Sequence, residues 1–188
     1  PLLLAILVSA LIAGALGVVV GFVTIRLGDL YVALVTLTLG LMMEQLVFTS
    51  QIYSQFGVGV SLARPSFTGA IPHVFAHDRA YAYFLLGVFA LLSVIVLSLR
   101  RSTTGLALNA VRWSPTGART MGISVVGMKV LVAGLAAFVA GLGGGFYASA
   151  VGQAQPDRYG TFLGLIWLAV LVTNGVRANI AALIAGVF

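Results

Sequence analysis

The chain has 188 residues, of which 61% are hydrophobic and only 7% are charged. A soluble domain of this length needs more charge to cover its surface, so the composition excludes an ordinary soluble protein. The formal net charge of +6 does not indicate nucleic acid binding, because the basic residues lie at the ends of apolar stretches, as in membrane proteins. With no cysteine, the chain has neither disulfides nor thiol chemistry.

Five apolar stretches approach the roughly 20 residues that a helix needs to cross a hydrocarbon core of about 30 Å. They lie near residues 2–25, 31–50, 81–99, 124–151 and 161–188, and the last is broken near 174–179. We therefore expect an all-α fold, a polytopic transmembrane helical bundle that residues 1–188 form as one domain. Because the chain starts at Pro1 without Met and stops within an apolar run, we expect it to be part of a longer protein.

Small residues recur on one face of the first span and of the fourth. In the first span they are Ala13, Gly17 and Gly21. In the fourth span they are Gly134, Ala137, Gly141, Gly145, Ser149 and Gly152. Such strips let helix backbones approach closely, so we predict that both are packing surfaces.

The second span contains Glu44, roughly 20 Å along the helix from its start. Leu37, Gly40 and Leu41 share its face, and Gly40 is expected to leave open space beneath the carboxyl. Two interpretations remain open. Glu44 either faces the bundle interior, where it holds a polar neighbour or lines the route of a solute, or it reaches the outer headgroups beside Gln45.

Residues 51–80 form a predicted polar loop that is rich in Gly and Pro. His73 and His77 lie four residues apart in this loop, beside Asp78. That spacing suits a metal ion, but a solvated loop is the simpler interpretation, and we predict no metal site.

Polar residues interrupt the fifth span at Asn174 and Arg177. Irregular backbone at membrane depth is tolerated only inside protein or beside a water-filled cavity. The break is therefore either a turn at a membrane face or part of a cavity lining. The second alternative makes Asn174 and Arg177, together with Glu44, candidates for a translocation path.

The segment between the third and fourth spans, residues 105–123, is polar and basic. Ser114-Pro115 is typical of a helix start, because Ser can cap free N–H groups and Pro at the first position loses no available bond. Gly122 accepts the left-handed conformation that ends helices. We predict a short helix of about two turns between two membrane spans.

Residues 115–123, PTGARTMGI, resemble the PEAARLMGI coupling segment in permeases of branched-chain amino acid type ABC importers, the LivM and LivH family. Residues 25–39 resemble the LivM sequence LRLRGLYLALVTLAL, and residues 129–156 resemble a LivM helix. Together the three stretches follow the family order along nearly the whole chain, and they are closer to LivM. Two departures stand out: Thr116 replaces the usual Glu, and the turn of residues 174–177 replaces a Gly-Gly-Leu-Gly-like one.

The resemblance implies that residues 105–123 form a cytoplasmic coupling loop whose short helix docks on an ATPase. Met121 and Ile123 are expected to bury apolar area in a groove of the ATPase. Gly117 and Ala118 are small enough to allow close approach. Arg112 and Arg119 are expected to pair with acidic residues around that groove. The residues assigned to ATPase coupling are Arg112, Ser114, Pro115, Thr116, Gly117, Ala118, Arg119, Met121, Gly122 and Ile123.

The distribution of basic residues gives the same orientation independently. With residues 105–123 inside, the inner side holds Arg26, Arg100, Arg101, Arg112, Arg119 and Lys129, and the outer side holds Arg64, Arg79 and Arg158. Six basic residues against three agree with the positive-inside rule.

The chain has no Gly-x-x-x-x-Gly-Lys-Ser/Thr phosphate loop and no Ser/His/Asp or paired-carboxylate grouping, so we expect no enzyme and no cofactor. The resemblance implies a permease subunit of an ABC importer in the plasma (inner) membrane of a prokaryote, with branched-chain or other amino acids as the default solute. Its implied partners are a second permease subunit, two ABC ATPase subunits or fused domains that use the ATP, an extracytoplasmic solute-binding protein and membrane lipid, but no nucleic acid.

Four alternatives are open. A secondary transporter would need several ligands for a coupling ion, and Glu44 alone does not provide them. The solute could be an amide or urea rather than an amino acid. A structural membrane protein would need no polar pathway, and an intramembrane enzyme is the weakest class.

Overall fold

The computed structural model describes residues 2–24, 29–48, 60–61, 78–154 and 156–174, with residues 182 and 186. The α-helices in this part of the chain are α1 (Leu2–Val23), α2 (Asp29–Met43), α3 (Asp78–Arg101), α4 (Thr103–Trp113), α5 (Pro115–Thr120), α6 (Val125–Val151) and α7 (Thr161–Asn174). A π-helical turn, Glu44–Phe48, follows α2, and a 3₁₀ turn, Pro156–Tyr159, precedes α7. Two short strands, β1 (Val60–Ser61) and β2 (Gln153–Ala154), pair antiparallel, with Val60 opposite Ala154. The predicted all-α fold class is confirmed.

The chain divides into two compact units. The first contains Pro1–Val32 and Ala63–Gly152, and the second contains Ala33–Leu62 and Gln153–Phe188. Three helices in the first unit are long and apolar enough to cross a membrane: Leu2–Val23, Tyr81–Arg101 and Val125–Val151. The second unit contains two shorter apolar helices, Ala33–Leu46 and Thr161–Thr173. The polytopic character predicted from composition is therefore present in the structure.

Helices α1 and α6 pack antiparallel along their strips of small residues. A Cβ added at Gly21, near the end of α1, would lie 2.9 Å from Ala133 Cβ, near the start of α6. A Cβ added at Gly145, near the end of α6, would lie 3.0 Å from Ile6 Cγ2, near the start of α1. At these glycines the two helices are so close that a side chain larger than hydrogen would not fit. This confirms the predicted packing surface.

The predicted strip on α6 is correct for all but its last glycine. Gly152 does not continue the strip but ends the helix, with φ at 78° and its N–H donating to the carbonyl of Ala148. A residue in this left-handed conformation is a common helix stop, and glycine adopts it without strain.

Helix α3 runs antiparallel to α6 as well. The Tyr81 hydroxyl, in the first turn of α3, donates to the Phe146 carbonyl, near the end of α6, over 3.1 Å. The Phe84 ring meets the Phe146 ring edge-on at 6.0 Å. The C-terminal ends of α1 and α3 and the N-terminal end of α6 therefore lie at the same end of the first unit, as the alternating spans predicted.

Candidate functional site

The connection from α3 to α4 is a sharp bend at Ser102. Its N–H donates to the Leu99 carbonyl over 3.2 Å, and its hydroxyl accepts from the N–H of Gly105 over 3.4 Å. A Cβ at Gly105 would come within 2.6 Å of the Leu99 carbonyl oxygen. Only glycine fits there, because α4 folds back onto the last turn of α3.

Helix α5 has the start predicted from the sequence. The Ser114 hydroxyl accepts from the N–H of Gly117 over 3.1 Å, and Pro115 occupies the first position of the helix. This cap satisfies one of the free N–H groups of the first turn.

The end of α5 is also as predicted, at Gly122. Its φ is 79°, and its N–H donates to the Arg119 carbonyl, while the N–H of Ile123 donates to the Ala118 carbonyl. These two bonds are those of a Schellman motif, which holds the last turn of the helix in one geometry.

An apolar cluster joins α5 to the base of α6. Its buried members are Val111 of α4, Ala118 of α5 and Val125 of α6. The residues packed around them are Ala110, Ile123 and Met128. The helix α5 is therefore packed against the start of α6.

This cluster corrects the direction expected for Ala118. Ala118 is only 2% exposed, so it packs inside the protein and offers no surface to a partner. Ile123 packs against the same cluster but is only half-buried, so its predicted role at a partner surface stays a prediction. Ala118 was assigned to the partner surface from the family resemblance, which does not say which face of a six-residue helix is buried.

The other assigned residues lie in or beside α4 and α5. Exposed among them are Arg112, Ser114, Pro115, Thr116, Arg119, Met121 and Gly122. Met121 is the largest apolar side chain of this set and is 79% exposed. A Cβ at Gly117 would instead lie 3.1 Å from the Ser114 hydroxyl, so this position faces the protein's own cap. We call the exposed side chains of Thr116, Arg119 and Met121 the coupling surface.

Sequence reasoning missed one prominent side chain beside this surface. Trp113, the last residue of α4, is 82% exposed. Its signal was present in the sequence, as a tryptophan in a polar segment between two spans, but the segment before Ser114 was not predicted to be helical.

In the second unit, the Glu44 carboxylate bonds to the first residue of α7. Its Oε2 accepts from the N–H of Thr161 over 2.9 Å, and the Thr161 side chain is a further hydrogen-bonding neighbour. The Gly160 carbonyl accepts from the N–H groups of Leu163 and Gly164 and so starts the helix. The free N–H of Thr161 is one that no residue within α7 can satisfy.

The predicted face of α2 is observed, but its surroundings differ. Leu37, Gly40, Leu41 and Glu44 are all half-buried. The prediction of open space beside Gly40 is wrong, because Thr161 fills that space. A Cβ at Gly40 would lie 3.2 Å from Thr161 Cγ2. Glu44 therefore holds a polar neighbour, which is one of the two roles considered for it.

The remaining path candidates are only partly described. Asn174 is the last residue of α7. Arg177 lies outside the described residues, as do His73, His77 and most of residues 51–80. Their predicted roles stay predictions.

Comparisons with known proteins agree on one family. A family model described as "Branched-chain amino acid transport system / permease component" matches residues 1–188. The chain is 26% identical over 200 residues to the "High-affinity branched-chain amino acid transport system permease protein LivM" of Salmonella typhimurium, covering 95% of this chain and 47% of that protein. It is 25% identical over 201 residues to the protein of the same name from Escherichia coli, covering 96% and 47%. The chain thus spans about half the length of these relatives, and no solved structure matches it significantly.

Proposed function

Since this chain belongs to the family of permease components of branched-chain amino acid transport systems, we propose that a partner ATPase drives it through the coupling surface. The chain is a multi-pass plasma-membrane protein, and its family is one of transport subunits. In the proposed complex it pairs with a second permease subunit, and the ATP is hydrolysed by two ABC ATPase subunits or fused domains. The permease itself then needs no cofactor.

One observation carries this proposal. The coupling surface lies on a helix that is fixed at both ends, by the Ser114 cap and by the Schellman motif at Gly122. The same helix is joined to α6 by the apolar cluster that contains Ala118 and Val125. A partner that pushes on Met121 or Arg119 would therefore move a membrane span, which is what a separate motor requires.

The proposed solute is a branched-chain or other amino acid. The two relatives are named as branched-chain amino acid permeases, and this chain shares their family. We further propose that an extracytoplasmic binding protein delivers the solute and makes most of the choice. An amide or urea is the alternative solute.

Glu44 is proposed to act beside the translocation path, together with Asn174 and Arg177. Its carboxylate is already engaged with Thr161, which supports a positioning role rather than direct contact with the solute. The same bond weakens the alternative of a secondary transporter, because capping a helix accounts for this acid without a coupling ion.

The proposal is tested by uptake into proteoliposomes. The full-length protein is reconstituted with the ATPase and the binding protein encoded beside it, and the ligand that co-purifies with the binding protein is identified by mass spectrometry. For permeases whose coupling surface faces the vesicle lumen, uptake of that ligand should require ATP in the lumen. Uptake driven by an ion gradient without ATP would contradict the proposal.

A further inference from the structure

Helix α4 connects the ends of two membrane spans. In its first turn, Gly105 lies against the backbone of Leu99, in the last turn of α3. In its last turn, Val111 belongs to the same apolar cluster as Val125, the first residue of α6. Because these ends of α3 and α6 lie at the same end of the first unit, α4 runs along the membrane surface rather than away from it. At 11 residues it spans about 16 Å.

The side of α4 opposite the cluster carries two large apolar side chains. Leu106 is 68% exposed and Trp113 is 82% exposed. They are seven residues apart and therefore point the same way, on the other side of the helix from Val111. No packing among the described residues accounts for this pair.

Basic residues lie close to this pair along the chain. Arg100 and Arg101 are exposed at the end of α3, and Arg112 is exposed within α4. Between Asp78 and Asp157 the sequence contains no Asp or Glu at all. An apolar stripe with a basic rim matches the chemistry of an anionic lipid surface, in which hydrocarbon lies beneath phosphate groups.

We propose that α4 is an interfacial anchor that binds the anionic phospholipids of the cytoplasmic leaflet. Leu106 and Trp113 insert at the level of the headgroups, where tryptophan is most favourable in membrane proteins. Arg100 and Arg101 bind the lipid phosphates. The anchor fixes the height of α4 at the membrane and leaves the coupling surface of α5 free for the ATPase. This proposal does not depend on the identity of the solute or of the ATPase.

The test uses the fluorescence of Trp113 in the full-length protein, with Trp167→Phe and every other tryptophan likewise replaced. The protein is placed in nanodiscs that contain brominated phospholipids, which quench tryptophan on contact. We expect Trp113 to lose most of its emission, and bromine near the headgroups to quench more than bromine near the bilayer centre. We also expect anionic brominated lipid to quench more than zwitterionic lipid, and the double variant Arg100→Gln/Arg101→Gln to lose this preference.

A matched reporter lies on the neighbouring helix. Met121→Trp in a Trp113→Phe background places the same fluorophore on the coupling surface, where we expect little quenching. The proposal is overturned if Trp113 is quenched no more than this reporter, or if anionic and zwitterionic lipids quench it equally. It is also overturned if addition of the ATPase removes the quenching of Trp113, since the stripe would then belong to the ATPase. The permease alone suffices for the lipid measurements, so such a result would leave the proposed transport function standing on its own uptake test.

Discussion

At Glu44 a side chain from one helix supplies the cap of another. Its carboxylate accepts the free N–H of Thr161, and a negative charge at this end of α7 is also favoured by the helix dipole. The sequence predicted the half-buried face on which Glu44 lies, because helical spacing alone determines it. It could not predict Thr161, which is 117 positions further along the chain, since no local pattern links the two helices.

Substitutions at Glu44 should separate charge from hydrogen bonding. Glu44→Gln keeps a carbonyl oxygen that can accept from Thr161, so we expect normal expression with reduced uptake. Glu44→Leu leaves the N–H of Thr161 unbonded, and we expect lower thermal stability in detergent as well as lost uptake. The control is Gln45→Leu, because Gln45 is exposed. Wild-type stability and uptake in Glu44→Leu would show that the bond is dispensable.

The two serines that precede α5 and α6 provide a second test at this scale. Ser114 caps α5 through its hydroxyl, whereas Ser124 precedes α6 without a side-chain cap bond. Ser114→Ala should therefore weaken α5 by about 1 kcal/mol, seen as faster amide hydrogen exchange at Gly117. Ser124→Ala should leave amide hydrogen exchange in the first turn of α6 unchanged. Equal effects of the two substitutions would contradict the assigned cap.

At the scale of elements, the best-predicted feature is the packing of α1 on α6. The spacing of small residues gave both interacting faces, since a membrane helix can bring its backbone close to another only where side chains are small. The antiparallel register, in which Gly21 meets Ala133, depends on the rest of the fold and is visible only in the structure.

A large side chain in this interface should force the helices apart. A Cβ at Gly17 would collide with Ala137 Cβ and lie 2.7 Å from the Ala133 carbonyl oxygen, so we expect Gly17→Leu to cost about 1–3 kcal/mol or more. Gly87→Leu is the matched control, because nothing lies within 4 Å of a Cβ at Gly87. Thermal unfolding in detergent should show a lower midpoint for the first variant only. Equal midpoints would mean that α1 and α6 do not pack through Gly17.

Helix α4 was the element that sequence reasoning missed. Residues 103–105, Thr-Thr-Gly, are weak helix formers and suggest a loop. In the structure the Ser102 cap and the contact of Gly105 with α3 outweigh that local preference. By contrast, α5 was predictable because Ser114-Pro115 and Gly122 are local signals that act within the helix itself.

At the scale of the whole molecule, charge sets the orientation. In the first unit, Arg100, Arg101, Arg112, Arg119 and Lys129 belong to the end at which α3 finishes and α6 begins. Positive-inside reasoning places this end in the cytoplasm. The sequence alone supports this prediction, because the rule depends only on the positions of basic residues relative to the spans.

Introduced cysteines can test the orientation, since the chain has none of its own. In intact cells, an impermeant thiol reagent should fail to label Thr116→Cys and should label Arg158→Cys in the predicted outer loop. After the cells are opened, both positions should react. Labelling of position 116 from outside would reverse the orientation and remove the basis for ATPase coupling.

The most direct test of the central claim is cross-linking from the coupling surface to the ATPase. Met121→Cys, carrying a photoactivatable cross-linker, is compared with Tyr83→Cys near the opposite end of α3, where the side chain is also exposed. In membranes that contain the partner ATPase, we predict a cross-link to the ATPase from position 121 and none from position 83. A cross-link from position 83, or none from position 121, would contradict the claim that α5 couples this permease to an ATPase.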